Sequence, residues 1–147
     1  MQINQLSVFL ENRRGRLTVP CAALADAGIN ILALTLADTE RFGILRLIIR
    51  DHEKAKAILE SCGFVVKITD VLAIEVEDQP GGLGRLLVRL ETAGVNVEYV
   101  YAFTVHDPGK AVMIFRFTDT KKAIQALTAA AIPLLKSADL YERAARS

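Results

Sequence analysis

The chain is poor in the residues on which most active-site chemistry depends. Its 147 residues include two cysteines and two histidines. Cys21 and Cys62 are far apart, form no CxxC and join no His/Cys cluster, so neither a zinc site nor a disulfide framework is indicated. Both sit in apolar surroundings and read as reduced, buried thiols. His52, at a predicted helix start, and His106, in a predicted turn, have no Ser or Cys partner at a motif spacing and read as surface residues. No nucleophile elbow, Walker loop, HExxH or dinucleotide-binding fingerprint occurs. The run Gly81-Gly82-Leu83-Gly84 is too short and wrongly spaced to cradle a phosphate. These absences argue against an enzyme, and no cofactor or metal is expected.

An excess of one charge is missing too. The formal net charge is +1. Residues 1–70 carry nine Lys/Arg and eight Asp/Glu, and residues 71–147 carry nine of each. A nucleic-acid-binding protein usually shows a basic run or face, so that class is disfavoured. No apolar run reaches the ~18 residues of a membrane span. The opening Met1-Gln2-Ile3-Asn4-Gln5 is not a basic segment leading into an apolar one. The expectation is a soluble, cytoplasmic protein with no membrane contact.

What the chain does have is a globular composition, 52% hydrophobic and 24% charged, and an internal repeat. At an offset of 66, residues 6–37 lie over 72–103 without a gap. Leu6, Glu11, Gly15, Leu17, Leu24, Ala27, Gly28 and Asn30 then fall on Leu72, Glu77, Gly81, Leu83, Leu90, Ala93, Gly94 and Asn96. Eight identities in 32 pairs compare with roughly two expected from ordinary residue usage. A two-residue insertion in the second copy shifts the offset to 68, where Asp51, Lys54, Ala55 and Leu59 meet Asp119, Lys122, Ala123 and Leu127.

The hydrophobic period repeats as well. Leu6, Val8 and Leu10, and then Leu72, Ile74 and Val76, alternate as strands do. Leu17, Cys21 and Leu24, and then Leu83, Leu86, Leu87 and Leu90, follow at helical spacing. Each of these helices runs into a capping glycine, Gly28 or Gly94. Apolar, β-branched stretches come next: Ile29 to Ala37 and Ile44 to Arg50, then Val95 to Val105 and Ala111 to Phe117. His106-Asp107-Pro108-Gly109-Lys110 reads as a hairpin turn. A second helix opens at Asp51 or Asp119, each a good N-cap. It carries Ala55, Ile58, Leu59 and Cys62 in one copy and Ala123, Ala126, Leu127 and Ala130 in the other. A last strand is expected near Phe64 to Ile68 and near Leu134 to Leu140. The order strand, helix, strand, strand, helix, strand, twice over, is the ferredoxin-like split βαβ unit. The expected class is α+β: two units, 1–69 and 70–147, each an antiparallel sheet with helices on one face. The linker is only about Thr69-Asp70.

Such a unit hosts many functions, so the loops must narrow the choice. The second copy reads Asp78-Gln79-Pro80-Gly81-Gly82-Leu83, and later Ala93-Gly94-Val95-Asn96-Val97. This resembles the ACT-domain signature: an acidic residue, Pro-Gly and a Leu entering the helix, then Gly-Ile/Val-Asn opening the second strand. The first copy reads Asn12-Arg13-Arg14-Gly15-Arg16-Leu17 and Ala27-Gly28-Ile29-Asn30-Ile31. It departs from the signature, with Asn12 for the acidic residue and Arg14 for proline. Pro20 also stands near the end of the first turn of its helix, where a hydrogen bond is at stake. The resemblance covers essentially the whole chain.

Physically, a glycine turn into a helix exposes N–H groups that suit a carboxylate. Asp78 or Asn12 can accept from an ammonium group. Together these chemistries match a free amino acid. The bland alternative is a simple turn at Pro80-Gly81-Gly82 with Asp78 as the helix cap. The resemblance implies amino-acid binding between two units. The residues it implicates are Asn12, Arg13, Arg14, Gly15, Arg16, Leu17 and Asn30, and Asp78, Gln79, Pro80, Gly81, Gly82, Leu83 and Asn96. Leu17 and Leu83 read equally as core. Arg13, Arg14 and Arg16 are either solvated surface or anion ligands. Tyr99 and Tyr101 give one strand an aromatic face, for packing or for a ligand.

Three functional readings stand at this point. One is a ligand-sensing regulator, which the family habit of interface binding and an outward Phe9 make a homodimer. The second is a regulatory subunit acting in trans on a biosynthetic enzyme such as acetolactate synthase. The third, a nucleic-acid or metal-handling module, wants stacking aromatics on a basic face or a CxxC and finds neither.

Overall fold

The computed structural model describes residues 2–38, 41–104 and 107–146; Val105 and His106, assigned above to a strand end and a turn, lie outside the described residues. Contacts group the chain into two compact units, Asn4–Thr69 and the residues from Asp70 on together with the N-terminal residues up to Ile3. Each is a ferredoxin-like unit of the α+β class.

The first unit contains β1 (Ile3–Glu11), α1 (Thr18–Asp26), β2 (Ala33–Asp38), β3 (Phe42–Ile48), α2 (His52–Ser61) and the start of β4 (Val65–Glu77). Its strands lie in the order β2-β3-β1-β4. β1 pairs antiparallel with β3, from Gln5 opposite Ile48 to Glu11 opposite Phe42. The period-2 pattern of β1 does what it promised: Leu6, Val8 and Leu10 are buried in one core with Leu24 of α1, Leu45 and Leu47 of β3 and Leu59 of α2. Burying such side chains contributes about 1.5–3 kcal/mol each.

The second unit takes up the rest of β4, then α3 (Gly82–Thr92), β5 (Val97–Ala102), β6 (Lys110–Phe117), α4 (Thr120–Ala129), β7 (Leu134–Leu135) and α5 (Ser137–Arg146). β4 pairs antiparallel with β6, Leu72 opposite Phe115 through Glu77 opposite Lys110. Leu72, Ile74, Val76, Leu86, Leu90, Phe115, Phe117 and Leu127 form its core, with the two Phe rings stacked at 5.7 Å between centroids. The expected turn closes through Lys110 N–H to the Asp107 carbonyl at 3.0 Å, with Gly109 at φ +76°. Tyr99 and Tyr101 stack along β5 at 6.5 Å.

Helix ends follow the local chemistry closely. Asp51 and Asp119 cap α2 and α4 through the N–H of Lys54 and Lys122. Gly28 and Gly94 adopt positive φ, and the N–H of the residue after each returns to the carbonyl five residues back, Ile29 to Leu24 and Val95 to Leu90. This is the Schellman closure. α2 and α4 end in the same way, Phe64 N–H to Leu59 and Ile132 N–H to Leu127. The left-handed residue is Gly63 in one and Ala131, at φ 56°, in the other.

Four expectations change. Thr69 and Asp70, read as a linker, lie inside β4. The strand expected over Leu134 to Leu140 is only two residues long, and residues from Ser137 on form α5. Its Leu140 is fully buried, and Arg143 pairs with Glu75 and Asp107. Ile74 and Val76 point into the core beneath α3 and α4, so Glu75 between them faces the other way. α5 therefore packs on the face of β4 opposite α3 and α4. The buried face of α1 is Pro20 and Leu24 rather than Leu17, Cys21 and Leu24. Leu17 is the N-cap, so Pro20 is the third helical residue and needs no N–H there, because the first turn has no intrahelical acceptor. Cys21 rotates outward as a result, and Cys62 sits at the exposed end of α2; both thiols are free and exposed, not buried.

Candidate functional site

The loop after β1 turns tightly. Arg16 N–H donates to the Arg13 carbonyl and Thr18 N–H to the Gly15 carbonyl, at 3.3 and 3.0 Å. Gly15 has φ +82°, and a Cβ there would meet nothing within 4 Å, so its conformation alone calls for glycine. Arg16 is part-buried and donates from Nη1 to Asn12 Oδ1 at 2.8 Å. Arg13 Nε lies 3.7 Å from Glu11 Oε2, a largely exposed pair worth little to stability. The Arg14 guanidinium makes no hydrogen bond or ion pair among the described residues.

These arginines rim a cleft of about 590 Å³. Its walls come from the end of β1 (Phe9, Leu10, Glu11), from Arg13 to Arg16, from Thr18 and Val19 at the start of α1, and from the turn Cys62-Gly63-Phe64. The topology explains the meeting. β4 runs antiparallel to β1, so the turn that feeds β4 lies at the end where β1 stops. Of the residues implicated by sequence, Arg13, Arg14, Gly15 and Arg16 line this cleft, while Asn12, Leu17 and Asn30 do not. Leu17 is exposed rather than core. Phe9, Val19 and Phe64 were missed; a signal was available in the strand order, which places the two turns together.

The corresponding cleft of the second unit is about 290 Å³. Gly81 has φ +86°, and a Cβ on Gly82 would lie 2.0 Å from the Glu77 carbonyl oxygen. The paired glycines therefore have separate jobs: one turns the chain, the other lets the start of α3 lie against the end of β4. Gly82 N–H donates to the Gln79 carbonyl at 3.0 Å, so that donor is occupied. Glu77 Oε2 accepts from Gln79 Nε2 at 2.6 Å and from Arg85 Nη2 at 3.1 Å. The Gln79 hydrogen bond first, then the Arg85 hydrogen bond and charge, hold the Glu77 carboxyl below its ordinary value. Arg85 Nη1 lies 2.7 Å from where a Gly81 Cβ would be, so the guanidinium covers the turn.

Asp78 does not cap the helix; the N-cap is Gly81, with no side-chain bond. Its carboxylate is exposed and makes no hydrogen bond or ion pair among the described residues. Gln79 and Pro80 are exposed, and Leu83 is part-buried against the core. Of the second list only Gly82 lines this cleft. Asn96 donates to Thr118 Oγ1 at 2.9 Å and lines a separate hollow with Leu87 and Gly94. Within each unit the asparagine lies beyond the far end of the helix that the loop begins, so a unit does not bring its own loop and Asn30 or Asn96 together. His52 is part-buried rather than on the surface, with Nε2 3.2 Å from Asn4 Nδ2. His106 lies outside the described residues. Among the described residues no group of three or more His, Cys, Asp or Glu can hold a metal ion, and no helix is long and apolar enough to cross a membrane.

Comparison with known proteins agrees with this architecture. Residues 1–143 match the family model for an ACT domain pair. A search of curated proteins finds no match. Among solved structures, a protein from Bacteroides thetaiotaomicron superposes with a TM-score of 0.88 at 40% identity, covering 97% of each chain. The ligand-free regulatory subunit of aspartate kinase from Thermus thermophilus gives 0.63 at 16% identity, over 86% of this chain and 91% of that one. The corresponding subunit from Thermus flavus gives 0.61 at 16% identity, over 87% and 92%. At that identity the two subunits show a shared fold.

Proposed function

The chain belongs to the ACT-domain-pair family, and from that premise we propose that it is a regulatory sensor of a free amino acid with no catalysis of its own. Residues 1–69 and 70–147 are its two domains. The observation that carries the reading is the first unit's cleft. An amino acid needs a cation for its carboxylate, an acceptor for its ammonium group and a wall for its side chain. Arg14, Glu11, Val19 and Phe64 offer these around one space. Binding at such a site regulates by favouring whichever assembly or conformation holds the ligand better. A homodimer is the assembly we assign. It also supplies what the resemblance implies and a single unit lacks: a loop from one unit facing the asparagine of another.

A thermal-shift screen of the twenty amino acids tests the reading. A ligand that binds only the folded state at 100 times its Kd adds about 2.7 kcal/mol, which moves the melting temperature by several degrees. One or a few amino acids are expected to do this. If none acts at millimolar concentration, the sensor reading fails.

A second reading, regulation of a biosynthetic enzyme in trans, draws support from the fold shared with the aspartate kinase regulatory subunits. It expects an enzyme of amino-acid biosynthesis to co-purify with the chain and to change activity when the amino acid is added. An enzyme whose activity ignores the chain would remove it.

A further inference from the structure

We propose that α5 is a latch on the second unit. Arg143 ties it to the β5–β6 turn, and through that turn to the loop of residues 78–82, so that helix and loop open and close together. Arg143 is then a positioning residue for the loop. On the sensor reading, α5 is the element that carries a change at this loop elsewhere; the link itself involves no ligand.

Half of the link occurs in both units. Asn12 N–H donates to the Arg41 carbonyl at 2.8 Å, and Asp78 N–H donates to the Gly109 carbonyl at 3.0 Å. These are matched positions: Asn12 falls on Asp78 at the offset of 66, and Arg41 on Gly109 at 68. In each unit the residue that opens the loop is thus bonded to the turn between the unit's second and third strands. The turn of the second unit is closed on itself, Lys110 N–H to the Asp107 carbonyl at 3.0 Å. A displacement of Asp107 is therefore felt at Gly109, and so at Asp78.

The second unit alone continues into a helix after its last strand; in the first, β4 runs straight on. α5 is anchored at two points. Leu140 is fully buried, and among the described residues of α5 it is the one classed with the core. Arg143 is the other anchor. Its Nη2 donates to Glu75 on β4, and its Nη1 lies 3.3 Å from Asp107 Oδ2 in the turn. Nη1 is shut off from solvent and makes no hydrogen bond, so the Asp107 charge is what offsets its burial. Asp107 is 57% exposed and Arg143 only 19%, so the cation is the partner that cannot turn to water. If the turn swings away, a buried guanidinium nitrogen loses its counter-charge. If α5 leaves, the turn loses its hold on β4. Each movement lowers the cost of the other, which couples them in both directions. A short helix with one fully buried side chain opens at a lower free energy than the strands beneath it, so the latch moves without the unit unfolding.

Amide hydrogen exchange on the intact chain, resolved by residue and without ligand, tests the latch. Arg143→Gln should speed exchange at Lys110 and Asp78 about tenfold, the scale set by removing one partner of a charged hydrogen bond. Asn12, the matched amide of the first unit, and Ile74 and Phe115 in the strands should keep their rates. Asp107→Asn, a substitution at an exposed side chain, should act in the reverse direction. It should speed exchange at Leu140, whose N–H donates to the Lys136 carbonyl at 3.0 Å, because coupling is reciprocal. The latch is overturned if Lys110 and Asp78 ignore Arg143→Gln, or if Leu140 ignores Asp107→Asn. A rise spread evenly over Asn12, Ile74 and Phe115 also overturns it, since that marks general destabilisation. None of these results touches the sensor reading, and a failed amino-acid screen leaves the latch standing.

Discussion

Gly15 and Gly81 make the same turn, at φ +82° and +86°, but the next residue is Arg16 in one unit and Gly82 in the other. In the second unit the missing Cβ lets the strand end and the helix start close together, and Glu77, Gln79 and Arg85 satisfy one another across the turn. In the first unit a long cationic side chain occupies the position, and the cleft beside it is twice as large. The loop that better matches the family signature thus borders the smaller cleft. The lesson is that a glycine pair can serve backbone packing as well as ligand approach. Only the neighbours distinguish the two, here a carbonyl oxygen at 2.0 Å from a would-be Cβ.

The sharpest way to break this comparison is to give the second loop the Cβ that the first already carries. Gly82→Ala should destabilise the protein by about 3 kcal/mol, the upper range for forcing atoms into a filled space. Arg16→Gly should cost no more than about 1 kcal/mol, mainly through chain entropy. Urea denaturation measures both, and equal costs would erase the distinction between the loops.

A smaller effect is expected at the ends of α2 and α4. Gly63→Ala places a Cβ at φ +91° and should cost about 1 kcal/mol, while Ala131→Gly should gain about as much. If both substitutions destabilise, Ala131 has a packing role that its exposure does not suggest.

The smallest effect concerns acid. The Glu77 carboxyl is held below its ordinary value of 4.5 by Gln79 and Arg85. A lowered carboxylate contributes stability that is present above its unfolded value and is lost as pH falls through the folded one. Glu77→Gln should therefore lower the melting temperature slightly at pH 7, with the difference vanishing in acid. The exposure of the pair keeps the effect small. A difference that grows on acidification would contradict the pairing of Glu77 with Gln79 and Arg85.

Much of the fold was legible because its determinants are local. The alternation of Leu6, Val8 and Leu10, the N-caps at Asp51 and Asp119, and the left-handed glycines 28 and 94 each need only a few neighbouring residues to be recognised. The errors came where distant contacts decide. The face of α1 turned because the helix begins at Thr18, exposing Cys21 and burying Pro20. α5 was read as strand because Leu134, Leu135 and Leu140 were taken together. In fact Leu140 is buried on a helix whose Arg143 is held by Glu75 and Asp107, 68 and 36 residues earlier in the chain.

The sequence by itself determined the repeat, the order of elements as far as α4, the N-caps of α2 and α4 and the glycine ends of α1 and α3. Backbone preference and hydrophobic period act over a handful of residues and survive in any context. Only the tertiary structure decided how much space lies beside each loop. That depends on whether a side chain such as Arg85 covers the glycine turn, on how closely a helix approaches a strand end, and on a turn at Cys62-Gly63-Phe64 that lies nearly fifty residues from the loop it meets.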